Sequence, residues 1–485
     1  MLRRTKIVAT LGPATDNPAM LDAIILAGMD VARLNFSHNS RESQIRRAHL
    51  VRDRARALDR WIGILMDLQG PKIRITHFRN GKILLAEGDE FTLDPSCPPE
   101  DGDQSRVGIT YPLLAEDIVP GAVLLLDDGR IVLEAMGVQK GKILCQVRTG
   151  GELSNGKGIN LQGGGLSVPA LTDKDRQDIK TAAELKADYL AVSFPRSAVD
   201  INLARKLFVE AGGTGRIVAK IERAEAMANI EEIIEAADVV MIARGDLGVE
   251  IGDAALPPAQ KKIIKLSRAM NRAVITATQM MESMIVNPIP TRAEVFDVAN
   301  AVLEGTDAVM LSAETAVGHH PDVVIRAMAR ICAETENQDS AQTSEHRINT
   351  RFNRIDEAIS LATMYIANHL GVKAIAALTE TGSTPLWMSR ISSGIPIYAL
   401  TEHAAVRRRV TLYRGVYPAN FKIKSSDHTV VNKEAVAELL RRGVVENGDL
   451  VVITKGDLVG IQGSTNSLKI VRVGELVEPV QGDPT

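Results

Sequence analysis

The chain has 485 residues, 45% hydrophobic and 24% charged, the balance of a packed globular protein and not of a disordered one. At roughly 150 residues per domain the length predicts about three domains. A net charge of -3, with 3% aromatic residues, offers nucleic acid or an anionic membrane neither an attractive field nor a stacking platform. Cys97, Cys145 and Cys332 are scattered singly, which points to a reducing cytoplasm and against a zinc site. The opening MLRRTKIVATLGPATDN is basic and then apolar, too short for a signal peptide. No apolar run nears the ~18 residues of a membrane helix.

In chain order, short β-branched runs end in polar residues: KIVATLG (6–12), DVARLNFS (30–37), IGILMDLQG (62–70), DYLAVSFPR (188–196), RIVAKIE (216–222), VVMIARGDLG (239–248), AVITATQM (273–280) and AVMLSAET (308–315). Helix-period stretches lie between most of them, with start signals at Thr172-Asp173, Pro257-Pro258 and Pro290-Thr291. Alternating apolar strands and helices predict a parallel sheet buried on both faces. Eight such units predict a closed (β/α)8 barrel, with an open doubly wound sheet as the alternative.

The alternation breaks over 72–168, where Gly-rich segments of period 2 are separated by Asp128-Gly129 and Lys140-Gly141. These are hairpin signals, and the segment reads as a small β-barrel inserted after the third strand, placed to close like a lid. Residues 334–353 lack periodicity and read as a connector. Beyond it come helix DEAISLATMYIANHLG, strands KAIAALTE and IPIYALTE, helix VVNKEAVAELLRRG, and strands DLVVITKG and LKIVRVG, a further α/β domain. The predicted division is a barrel at 1–71 and 169–340, a lid at 72–168, and a C-terminal domain at 345–485.

Polar residues gather at the strand ends, where a barrel builds its site. Lys220 and Glu222 are two apart and share one face of a strand. Asp246 ends the next run, and two carboxylates from adjacent strands suit a hard divalent cation such as Mg²⁺; a structural Lys–Glu pair is the alternative. Arg33, Asn35 and Ser37 alternate in period 2, and Asp67, Lys72 and Arg74 follow. Arg33 can clamp a phosphate or carboxylate through two hydrogen bonds. Basic residues mixed with carboxylates round one rim point to an anionic, phosphorylated substrate handled with a metal. Thr278 and Ser312 come from the seventh and eighth runs. No GxxxxGK[ST] is present, so this is not a P-loop enzyme.

The blocks ARLNFSH, DLQGPKIR, VAKIE, ARGDLGVE, ITATQMMESM, PTRAEVFDVANAV and LSAETAVG, in this order, resemble those of the pyruvate kinase family along essentially the whole chain. The resemblance implies transfer of the phosphoryl group of phosphoenolpyruvate to ADP, giving pyruvate and ATP, in a cytoplasmic homotetramer. It implies that Glu222 and Asp246 hold Mg²⁺, for which Mn²⁺ substitutes. Arg33 and Lys220 would face the phosphoryl group, Gly245 the substrate carboxylate, and Thr278 the enolate carbon that is protonated. Asn35, Ser37, His38, Arg74 and Lys157 match nucleotide contacts, and Ser193 and Ser312 would support them. Many members read GPEIR and require K⁺; this chain reads GPKIR, so the resemblance implies that Lys72, near Asp67, replaces K⁺ and makes it dispensable. Thr379, Thr381, Gly382, Ser383 and Thr384 open a short helix after a strand, where the family places a phosphorylated activator such as a sugar phosphate or AMP. Another Mg²⁺-dependent barrel acting on phosphoenolpyruvate, or a non-catalytic metabolite sensor, are the rival classes.

Overall fold

A computed structural model describes residues 2–38, 40–342, 351–457 and 463–475. The remaining parts of the connector and C-terminal domain predicted above lie outside the described residues.

Eight parallel strands close into a ring in chain order, the first pairing with the eighth. They are Lys6–Thr10, Val31–Asn35, Gly63–Asp67, Tyr189–Val192, Arg216–Ile221, Val239–Ala243, Ala273–Ala277 and Ala308–Leu311. Helices begin where their caps predict. Thr172 and Thr291 each accept a backbone N–H from a residue three ahead, Asp175 and Glu294, whose carboxylates return the bond. Pro257 and Pro258 sit in the first turn of Leu256–Ala269, where no intrahelical N–H is lost. The open-sheet alternative is thereby excluded.

Several strands stop before their apolar runs do. They end at Asn35, Asp67, Ala243, Ala277 and Leu311, which leaves Ser37, Thr278 and Ser312 in the rim turns and Gly245 and Asp246 in the first turn of the helix Arg244–Ile251. The chain must turn over the rim there, so polar groups leave the ladder and face the opening.

The lumen is packed, not hollow. Val8, Leu65, Val218 and Ile275 belong to one buried cluster that continues into Met388, Val410 and Leu412 of the C-terminal domain. That domain therefore plugs the barrel's N-terminal end and leaves the opposite rim free. Its seam carries a buried ion pair between Arg390 and Asp307, and Arg390 also donates to the Arg272 carbonyl at 2.6 Å.

The insertion is the predicted small barrel. Six strands form one sheet, and residues 73–78 bridge its two edges, Arg74 pairing with Gly158 beside Ile159–Leu161 and Ile75 with Ile109 beside Arg106–Val107. A separate two-stranded ribbon pairs Gly151–Ser154 with Lys82–Leu85, all around one core holding Phe78, Phe91 and Leu133. The predicted hairpin turns are present: Lys140 and Gly141 have φ of 50° and 76°, the left-handed pair of a type I′ turn.

The C-terminal sheet has five strands, with Thr465–Arg472 antiparallel at one edge. The helix Ala404–Val410 and strand Val416–Asn420 are additions to the sequence reading. Their segment AAVRRRVTLYRGVYPAN is broken by arginines, which hides the apolar period.

Candidate active site

Asp67 ends the third strand and is fully buried. Arg33, from the second strand, donates to it from Nε at 2.7 Å and reaches Thr10 Oγ1 at 2.9 Å. Lys220 Nζ lies 3.3 Å from Asp67 Oδ1, 2.8 Å from Glu222 Oε1, and donates to Ser193 Oγ at 2.7 Å. Burial disfavours the charged form of Asp67, but Lys220 and Arg33 outweigh it and hold the carboxyl below its usual range. Burial likewise opposes charge on Lys220, yet Asp67 and Glu222 raise it above the ordinary lysine value. Two cations are thus fixed by carboxylates before any substrate arrives.

Glu222 follows the fifth strand, and its Oε2 accepts the Phe194 N–H at 2.8 Å. Burial pushes its carboxyl up, Lys220 opposes this, and the Asp246 charge pushes it further. Asp246 is at the start of the helix Arg244–Ile251 and about a fifth exposed. The two carboxylates are close enough for each to sense the other's charge.

Lys72 requires a correction. The sequence places it near Asp67, but Lys72 Nζ lies 2.9 Å from Asp246 Oδ1. Asp67 already has Arg33 and Lys220, while Lys72 lines the cleft together with Asp246.

Thr278 and Gln279 both have positive φ, 64° and 53°, a strained conformation for residues with a Cβ. Thr278 Oγ1 accepts the Gly245 N–H at 2.8 Å, joining the predicted carboxylate-binding amide to the predicted proton-transfer hydroxyl. Arg244, which the sequence reading passed over, holds this turn in place. It forms a two-pronged pair with Asp297 at 2.7 Å and donates to the Thr278 carbonyl at 2.7 Å. Glu314, in the eighth run beside Ser312, accepts the Ser312 and Met281 N–H groups at 2.6 and 3.2 Å. Arg244 reaches Asp297 and Thr278, and Glu314 reaches Met281, all distant in sequence. Ser312 Oγ is buried with no hydrogen-bond partner at the cleft wall.

The nucleotide set is split. Asn35 Oδ1 accepts the Ser37 N–H at 3.0 Å, and Gln44 fastens the turn by donating to the Asn35 and His38 carbonyls. Burial, then Arg74, Arg33 and Lys72, depress His38 protonation, so these cations face the same corner. Arg74 donates to the Gly156 carbonyl at 2.9 Å, inside the lid. Lys157 is not brought to the others; it pairs with Asp127 at 2.7 Å. A cleft of roughly 620 Å³ between lid and rim is lined by Lys72, Gly129, Gly245, Asp246, Thr278 and Ser312.

In the C-terminal domain, Thr379, Thr381, Ser383 and Thr384 line a separate pocket of roughly 350 Å³ with Lys455. Gly382 has φ of 85°, and its N–H donates to Thr379 Oγ1 at 2.9 Å.

A closed parallel barrel with fixed cations and paired carboxylates at its C-terminal rim, roofed by an inserted lid, defines a phosphoryl-transfer enzyme of barrel type. The profile described as "Pyruvate kinase, barrel domain" matches residues 2–325, and "Pyruvate kinase, alpha/beta domain" matches 357–471. The chain is 54% identical over 476 residues to pyruvate kinase II of Salmonella typhimurium, covering 97% of this chain and 99% of that one. It is 53% identical over 470 residues to a Haemophilus influenzae pyruvate kinase, covering 96% and 97%. Against a Geobacillus stearothermophilus pyruvate kinase it is 42% identical, covering 99% of this chain and 82% of that one. The chain belongs to the pyruvate kinase family. It is a phosphotransferase, and phosphoenolpyruvate, ADP and pyruvate are the ligands that membership implies.

Proposed function

We propose that the rim of the barrel performs the transfer with Arg33 and Lys220 on the phosphoryl group. The observation that carries this is the immobilised Lys220 ammonium, buried and held by Asp67, Glu222 and Ser193. An ADP phosphate oxygen attacks phosphorus, the bond from phosphorus to the enol oxygen breaks, and ATP and the pyruvate enolate result. Fixed cations favour this because charge spreads over the phosphoryl and enolate oxygens as the bond breaks. The enolate carbon then takes a proton on the side of Thr278, through water, to give pyruvate. The first turn of the helix Arg244–Ile251 suits the substrate carboxylate, provided the Gly245 amide gives up its bond to Thr278 Oγ1 when substrate enters.

Glu222 and Asp246 are two hard oxygen donors close enough to sense one another, which fits a divalent cation that takes few protein ligands. Mg²⁺ or Mn²⁺ held there would supply Lewis-acid neutralisation of substrate oxygens. Lys72 adds a covalent positive charge in the cleft, which supports turnover without K⁺. Asn35, Ser37, His38, Arg74 and Lys157 are the nucleotide contacts, the last delivered by lid closure.

The C-terminal pocket, with its hydroxyls and Lys455, fits a phosphorylated activator, and a panel of sugar phosphates and AMP tests it through loss of sigmoidality in the phosphoenolpyruvate curve. Exposed Val286, Ile289 and Phe296 around the helix Arg292–Glu304 support self-assembly to a tetramer. No helix among the described residues is long and apolar enough to cross a membrane, which agrees with a cytoplasmic glycolytic role.

The test is pyruvate formation from phosphoenolpyruvate, with and without ADP and Mg²⁺. Pyruvate and ATP in equal amounts, only when both are added, is expected. Pyruvate without ADP would favour another phosphoenolpyruvate-using barrel, and none at all a metabolite sensor.

A further inference from the structure

The lid strands Val123–Leu126 and Ile131–Gln139 are joined by a turn over residues 127–130. Asp127, Asp128 and Gly129 have φ of 52°, 55° and 85°, three left-handed residues in succession, and two of them carry a Cβ that makes this conformation costly. The Asp127 N–H donates to the Gly158 carbonyl at 3.3 Å, so the turn stands against the segment that carries Lys157. Asp128 and Gly129 line the cleft together with Gly245, Asp246 and Thr278.

The backbone of the Lys157 segment is fixed from its other side. The Ile75 N–H donates to the Lys157 carbonyl at 2.9 Å, Arg74 and Gly158 form an antiparallel bridge, and the Arg74 guanidinium donates to the Gly156 carbonyl at 2.9 Å. Lys157 and Arg74 are thereby stitched into one unit of the lid. These bonds leave the Lys157 side chain itself free to rotate about its flexible four-carbon stem.

Asp127 removes that freedom. Its Oδ1 lies 2.7 Å from Lys157 Nζ, with the two side chains 13% and 34% exposed. Arg130 comes only to 4.0 Å of the same carboxylate and is 80% exposed, so Lys157 is the partner. Asparagine tolerates the left-handed conformation as aspartate does, so the turn by itself does not call for a carboxylate. What the carboxylate adds is a charge beside Lys157. One oxygen occupies one of the three ammonium donors and leaves the others for phosphate.

We propose that Asp127 is a positioning residue for the transfer, holding the Lys157 ammonium in one conformation so that lid closure brings the nucleotide phosphates a cation already in place. The inference rests on the reading of Lys157 as a nucleotide contact. Freezing a lysine stem costs conformational entropy, and a partner that freezes it beforehand takes that cost out of nucleotide binding. A mere counter-ion acts the other way, by weakening the pull on phosphate, so the sign of the effect separates the two roles.

The test uses full-length Asp127→Asn, Lys157→Ala and the double variant, following KM for ADP and for phosphoenolpyruvate, with amide hydrogen exchange over 123–131. Lys157→Ala should raise KM for ADP at least about tenfold. Asp127→Asn should raise it at least about threefold, leave KM for phosphoenolpyruvate within about twofold, and leave exchange in the turn within about twofold of wild type. In the Lys157→Ala background the same change should add nothing, because its partner is gone. A KM for ADP unchanged or lowered in Asp127→Asn, beside a raised one in Lys157→Ala, would overturn the proposal. An equal rise of both KM values, faster exchange in the turn, or an Asp127→Asn effect that persists without Lys157 would each mark a structural role and overturn it too. If Asp127→Asn does not fold, Asp127→Gly, which takes the left-handed turn without strain, carries the same comparison. An unchanged KM for ADP in Lys157→Ala would instead refute the reading of Lys157 as a nucleotide contact, and the proposal with it.

Discussion

Lys72 and Asp246 are 174 residues apart in sequence, yet the ammonium of one lies 2.9 Å from the carboxylate of the other. The pair spans the cleft from the lid's first hinge to the helix that carries the proposed metal ligand. A positive charge is therefore present at the mouth of the site before substrate enters.

That charge predicts the cation requirement. Wild-type enzyme should turn over with Mg²⁺ and tetramethylammonium alone. Lys72→Glu would set a second carboxylate beside Asp246, and two unit charges 4 Å apart interact by about 4 kcal/mol at an effective dielectric of 20. The variant should be nearly inactive without K⁺ and at least partly rescued by it at millimolar concentration. A K⁺ requirement in wild type, or full activity of the variant without K⁺, would show that Lys72 is not the internal cation.

Removal of either proposed metal ligand should shift the metal titration. Glu222→Ala and Asp246→Ala should raise the Mg²⁺ concentration for half-maximal rate by at least about tenfold, the usual order for a lost ligand or its support. Mn²⁺ should rescue better than Mg²⁺. Superimposable titrations would take both residues out of the metal site.

The seam below the barrel yields a stability prediction. Arg390 and Asp307 are each only 1% exposed at their side chains, so Arg390→Met strands a buried carboxylate. Breaking such a pair costs about 3–5 kcal/mol. Thermal unfolding followed by calorimetry should show a Tm several degrees lower, before any change in KM. An unchanged Tm would mean that the seam adds nothing to the barrel.

Much of the site was legible because a strand's period of two is rigid. Lys220 and Glu222 had to leave the same face, and the ends of apolar runs had to reach one rim. The backbone turns beyond them were not legible. Positive φ at Thr278 and Phe194 is imposed by Arg244 and Glu222 from other strands, and neither residue type announces it. Lys72 was assigned the wrong partner for a related reason, since its position depends on where the lid hinge stands. The lid's hairpins were readable from their turn dipeptides, whereas the closure of its sheet, through bridges from residues 73–78 to both edges, carries no signal in the sequence. Gln44 carries no motif, and only its contacts reveal it.

The most direct test of the account is the kinetics of Lys220→Met. A cation aimed at charge that develops in the transition state contributes ~2.7–4 kcal/mol in comparable sites, so kcat should fall at least about a hundredfold with KM for phosphoenolpyruvate and the Mg²⁺ titration nearly unchanged. A near-normal kcat with only a raised KM would show that Lys220 merely holds ground-state substrate and would contradict the mechanism.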